Sequence, residues 1–198
     1  MSPVNGNLNN NELTIQQSLD GFSYIIDNDK HTLVPAALYQ ENKKSRYLDF
    51  LGLKEENVVV CADYIDLADM YNIYCVSKKE HARLRAENTE FRHSSSVLLT
   101  NLIKENLQRT DDARIYLNVK DQHFEMIVLK GANLLFDNSF RFKTKEDFLY
   151  FLLFAMEQLH LDTETVPVYF MGMIEKDSQI ADIISRYVRD VRFKKDLI

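Results

Sequence analysis

Tryptophan is absent from this 198-residue chain, which has only two cysteines, three prolines and five glycines. Cys61 and Cys75 each lie inside an apolar run, so neither a disulfide framework nor a zinc cage is supported. An excess of positive charge is also missing. Against 30 Asp and Glu there are 24 Lys and Arg, a net charge of −6, and phosphate affinity comes from clustered cations, which argues against a general nucleic-acid or anionic-membrane binder. The longest uninterrupted apolar run, Phe148 to Met156, is nine residues, where a spanning helix needs about 20. The start, MSPVNGNLNNNE, has no basic segment and no apolar stretch, and so does not read as a secretory signal. Five asparagines among its first eleven residues cannot bury anything, and residues 1–12 are expected to form a disordered tail. These absences predict a soluble, cytoplasmic protein.

What is present is a globular composition, 45% hydrophobic, 27% charged and 11% aromatic, enough for one domain or two small lobes. Leu13 to Leu19 and Phe22 to Ile26 flank Asp20-Gly21, a strong hairpin signal. His31 to Val34 leads into Pro35, a favoured first-turn residue, and a helix to Leu51 is expected with Leu38, Tyr39, Tyr47, Leu48 and Leu51 on one stripe. Val58 to Cys61 and Ile73 to Val76 read as buried strands. A charged helix at Lys78 to Glu87 and a short strand at Glu90 to Arg92 follow. Ser94 or Ser95 is the natural cap of a helix from Val97 to Leu107.

Beyond Asp112 the periodicity becomes clear. Ile115, Leu117 and Val119 alternate with polar residues, as do Phe124, Met126 and Val128, and then Leu134, Phe136, Phe140 and Phe142. That pattern predicts a three-stranded antiparallel meander. Thr144 caps a helix to Leu161, Val166 to Met171 is a buried strand, and Ile180 to Val188 an amphipathic helix. The helix between strands three and four implies a parallel crossover.

This β-β-β-α-β-α order resembles half of a ribonuclease H-like or actin-like domain. The segments LTIQQSLDGFSY, HTLVPAALYQ, FRHSSSVLL, DFLYFLLFAMEQL and SRYVRDV together resemble an uncharacterised Bacteroidetes family with an actin-like ATPase fold. The resemblance implies an α/β fold of two meander-plus-helix halves, 13–110 and 111–198. Against the family pattern the first half reads either as shortened or as lacking a segment of the given sequence, because Ile26 runs almost directly to the Leu33-Val34-Pro35 segment and leaves only two meander strands before the helix. No activity comes with the resemblance.

Actin-like ATPases grip phosphates with two Gly-containing hairpins and organise Mg²⁺ through an Asp. Here the first candidate turn has Asp20 and Gly21 adjacent, as a plain hairpin tip requires. In the second, Asn118 stands at the metal-organising position and Lys120 at the glycine position, with Asp121 as the only nearby carboxylate. The adenosine turn corresponds to Gly172, flanked by Met171 and Met173. Degradation of all three points to a vestigial nucleotide cleft and a non-catalytic scaffold or adaptor without cofactor. The alternative is an ATP-binding switch or ATPase that holds Mg-ATP with Asp20 or Asp121.

Other patterns carry less. His93-Ser94-Ser95-Ser96 places a base beside a nucleophile type, but helix capping explains the serines. His31, His81, His93, His123 and His160 have no metal-ligand spacing and are expected at surface or half-buried positions. Asp63, Asp66 and Asp69, with Glu55 and Glu56 upstream, read as a solvated acidic face. The helix from Thr144 is apolar nearly all round, so Phe151 and Phe154 are candidates for a surface that meets an unknown protein partner or a second copy. Arg186 and Arg189, with Arg192, Lys194 and Lys195, form a basic cluster that compensates a terminus or meets an acidic partner.

Overall fold

The computed structural model describes residues 12–18, 21–28, 30–53, 57–87, 90–109 and 112–194, with the backbone alone for 12–18 and 21–23. Two compact units divide these residues, with the boundary between Thr100 and Asn101.

In the first unit, β1 (Glu12–Ser18) and β2 (Gly21–Asp27) pair antiparallel, Ser18 opposite Gly21. Asp20 lies outside the described residues. β3 (His31–Pro35) follows, and the continuous helix expected from Pro35 to Leu51 does not form. Pro35 ends a strand with extended backbone, short 3₁₀ turns occupy Ala36–Leu38 and Glu41–Lys43, and only Ser45–Leu51 is helical, as α1. The interruption has a visible cause. Tyr39 stacks on Tyr71 at 3.9 Å, and the Gln40 amide donates to the Tyr47 hydroxyl at 3.0 Å, which holds the backbone extended at Gln40. The apolar stripe survives in part, since Tyr47, Leu48 and Leu51 are buried against Val58, Ile73 and Cys75, while Leu38 is exposed.

β4 (Val58–Ile65) and β5 (Met70–Ser77) form a hairpin, longer than the runs read from sequence, and β3 pairs with the far side of β5. β3 thus belongs to a second sheet of order β3-β5-β4, and in the described residues the meander of the first unit has the two strands expected, β1 and β2. Ser77 caps α2 (Lys78–Ala86) by accepting the Glu80 amide, as its residue type favours. β6 (Phe91–His93) runs parallel to β2 and completes the sheet β1-β2-β6. α3 (Ser94–Asn106) starts three residues before the expected position, so the serines form its first turn.

The second unit follows its periodicity closely. β7 (Ala113–Val119), β8 (His123–Lys130) and β9 (Asn133–Arg141) make the antiparallel meander, and α4 (Lys145–Gln158) crosses to β10 (Val168–Gly172), which pairs parallel with β7. Thr144 and Asp147 form a reciprocal capping box at the start of α4, which satisfies two donors of the first turn. Then come α5 (Gln179–Ile184) and β11 (Val191–Phe193), a strand too short to show a period, giving the order β11-β10-β7-β8-β9. One face of this sheet carries Leu117, Phe124, Met126 and Phe170 against Phe148, Leu152 and Met156 of α4. Phe148 stacks on Phe124 at 3.8 Å between ring centres.

Candidate functional site

β7 and β10 end side by side, and the candidate nucleotide residues of the second unit gather there. Gly172 pairs with Val119 and Met171 with Asn118. Gly172 has φ of +77°, and a β-carbon built on it would lie 2.3 Å from the Val119 carbonyl oxygen and 2.8 Å from Asn118 Oδ1. Its bare backbone therefore packs onto the end of β7, and the Met173 amide donates to the same Val119 oxygen at 2.7 Å. Asn118 is 6% exposed, and its Nδ2 has no hydrogen-bond partner. Asp121 is exposed in the turn beyond β7, which the Lys120 amide closes onto the His123 carbonyl. Of the expected residues, Asn118 and Gly172 meet, Asp121 is one turn away, Gly21 begins β2 in the other unit, and Asp20 is outside the described residues.

The sheet face opposite α4 holds two carboxyl groups that the sequence did not single out. Cross-strand register puts Asn118 opposite Glu125, and Asp137 opposite Ile127, diagonal to Glu125. Glu125 is 2% exposed, and both Asp137 oxygens are sealed from solvent without a hydrogen-bond partner. Burial, and then the Glu125 charge, raise the Asp137 carboxyl well above its ordinary value of 3.8. The sign follows from linkage. The unfolded chain loses this proton near pH 4 while the folded one keeps it, so the contribution of Asp137 to stability falls as pH rises above about 4. Asp137→Asn is therefore expected to stabilise the protein at pH 7, by about 1–3 kcal/mol, and to change little at pH 4. Urea unfolding at the two pH values measures this, and equal effects at both would contradict it.

A second constellation lies in the first unit. Ser95 Oγ is 3.1 Å from His31 Nε2, His31 Nδ1 is 3.2 Å from Asn72 Oδ1, and Asn72 Nδ2 donates to Ser96 Oγ at 2.9 Å. Nucleophile, base and orienting amide are the parts of an acyl-transfer relay. Ser95 is only 3% exposed, however, and its amide donates back to His93 Nδ1. Asp63, expected on a solvated face, is instead 8% exposed and accepts the His93 amide at 2.7 Å and the Tyr74 hydroxyl at 2.9 Å. Burial raises its carboxyl, and these bonds oppose the rise. His93, expected near the surface, is fully buried, with its ring 4.8 Å from His31 and 4.9 Å from Tyr74. The network anchors the start of α3. Its hydrogen bonds tie His31, Asp63 and Asn72 to residues 93–96, which lie 24 to 64 positions further along the chain, so no local motif announced it.

The remaining candidates are dispersed. Phe151 is half-buried and stacks on Phe140 at 4.8 Å, while Tyr150 and Phe154 are 61% and 48% exposed and stack on each other. Arg186 pairs with Asp182 and Arg189 with Glu164, both at the surface. Burial pushes the Cys61 and Cys75 thiols up to about 12 and about 11, so neither supplies a thiolate nucleophile or ligand at neutral pH. Among the described residues no group of three His, Cys, Asp or Glu could hold a metal, and no helix is long and apolar enough to cross a membrane.

A three-stranded meander, a crossover helix and a parallel return strand define a ribonuclease H-like half, and the chain is an α/β protein with an actin-like ATPase fold. It is similar to a protein of actin-like ATPase fold and unknown function from Bacteroides thetaiotaomicron VPI-5482, at 19% identity and TM-score 0.78. That alignment covers 86% of this chain and 66% of the other, so the chain spans just under two thirds of that protein. A chain of the PilM-PilN type IV pilus biogenesis complex is similar at 11% identity and TM-score 0.54, covering 86% of this chain and 68% of that one. None of the curated proteins matches the sequence. Residues 25–191 match the family described as "Protein of unknown function (DUF3822)", and the chain belongs to that family.

Proposed function

We propose that this chain is a non-catalytic actin-like protein, a cytoplasmic scaffold or adaptor whose nucleotide cleft is vestigial. The observation that carries the reading is the join of β7 and β10. An amide replaces the metal-organising carboxylate at Asn118, and the Gly172 backbone is spent on packing against Val119 and Asn118 Oδ1. Mg²⁺ favours oxygen ligands that bring negative charge, and Asn118 brings none. A role through protein contacts accords with the exposed Tyr150 and Phe154, and a fold neighbour was solved within a two-protein complex.

A ligand that binds only the native state raises stability by RT ln(1 + [L]/Kd). Thermal melting with and without millimolar Mg-ATP is therefore expected to give the same midpoint. A saturable rise would replace this reading with an ATP-binding switch.

A further inference from the structure

β7, β10 and β11 run parallel, so their first residues share one edge of the sheet, at the opposite end from Asn118 and Gly172. A cavity of about 350 Å³ opens at that edge, within the size range of small-ligand sites. Arg109, Arg114 and Arg192 line it together with Asp112, Asp190 and Tyr169, and Val166 and Pro167 supply apolar wall.

The three arginines are not equivalent. Arg192 is committed: Nε and Nη2 donate to the two Asp190 oxygens at 2.8 and 2.5 Å, Nη1 donates to the Tyr169 hydroxyl at 2.8 Å, and the guanidinium lies 5.4 Å from the Tyr169 ring centre. Tyr169 is in turn stacked on Tyr116 at 5.1 Å. This assembly is a fixed wall, and it consumes the Asp190 charge. Arg109 and Arg114 instead donate to the main-chain oxygens of Glu105 and Asp112, which bring no neutralising charge. Two guanidinium groups thus face a shaped cavity in a protein whose net charge is −6.

We propose that this cavity binds a carboxylate, carried by a small acid or by an acidic peptide segment, with Arg109 and Arg114 as its charge partners and the Arg192–Tyr169 pair as the orienting wall. A planar guanidinium matches the two oxygens of a carboxylate. Among the described residues of the lining, three arginines against two aspartates leave a surplus of one positive charge, which suits a single carboxylate better than phosphate. The inference is independent of the phosphate-turn reading, since it concerns the other end of the strands.

Calorimetric titration of the full chain at low salt tests it with three probes: butyrate, acetyl-Gly-Glu-Gly-amide and inorganic phosphate. Saturable 1:1 binding of a carboxylate probe is expected, with a loss of at least tenfold in Arg114→Gln and in Arg109→Gln. A smaller loss is expected in Arg114→Lys and none in Arg141→Gln, at the far end of β9. Tighter binding of butyrate identifies a small acid as the source, and tighter binding of the peptide identifies a partner segment. Two arginine sites are tested so that a variant that fails to melt like the parent can be set aside. The proposal is overturned if neither carboxylate saturates, if phosphate binds as tightly, or if the folded Gln variants retain full affinity.

Discussion

Gly172→Ala is expected to destabilise the protein by about 3–4 kcal/mol, while Gly52→Ala costs about 1 kcal/mol. The two glycines share a left-handed backbone, with φ of +77° and +64°, so the conformational penalty of about 1–2 kcal/mol applies to both. They differ in surroundings. Around Gly52, which closes α1, nothing lies within 4 Å of a built β-carbon, whereas at Gly172 that atom meets the Val119 oxygen at 2.3 Å. The oxygen cannot easily retreat, because Val119 is in register with Gly172 and already accepts the Met173 amide. Urea denaturation of the two variants gives the comparison directly. Equal losses would show that β7 and β10 are not packed as tightly as their geometry implies.

Phe148→Ala is expected to cost about 4 kcal/mol, the upper range for removing a large aromatic from a close-packed core. Phe148 is fully buried, stacked on Phe124 and edge-on to Phe142 at 5.2 Å, and it lies 6.1 Å from Phe170. Its removal leaves a void where α4 joins strands β8 and β10. Phe154→Ala, on the exposed side of the same helix, is expected to change stability by about 0.5 kcal/mol or less. Chemical denaturation distinguishes the two. A large loss for Phe154→Ala in protein that sediments as a monomer would mean that this face is covered by the chain itself and is no partner surface.

How much was legible varied with the kind of signal. Strands β7 and β8 were readable because apolar residues recur at every second position (Ile115, Leu117, Val119; Phe124, Met126, Val128), β9 because it follows the turn at Lys130-Gly131, and α4 because Thr144 and the acidic first turn mark its start. Pro35 misled, since its fixed φ suits the end of a strand as well as the first turn of a helix, and long-range pairing of β3 with β5 decided the matter. Asp63 and His93 were misplaced for a related reason. Polar residue types default to the surface, and the Asp63–His93 bond that helps make their burial tolerable joins residues 30 apart in the chain. The candidate site divides in the same manner. Asn118, Lys120 and Gly172 could be aligned to expected positions, but the contact of Gly172 with Asn118 depends on strand packing. Neither the Asp137–Glu125 pair nor the arginine cavity has a local pattern, since each joins residues from separate strands or loops.

On the proposed function, the joined ends of β7 and β10 hold no nucleoside triphosphate. Equilibrium dialysis of the full chain against labelled ATP with excess Mg²⁺ measures it most directly, with Asn118→Asp/Lys120→Gly alongside as an attempt to restore the missing carboxylate and bare backbone. No bound nucleotide above background is expected for the parent chain at millimolar ATP. Stoichiometric, magnesium-dependent retention by the parent chain would contradict it.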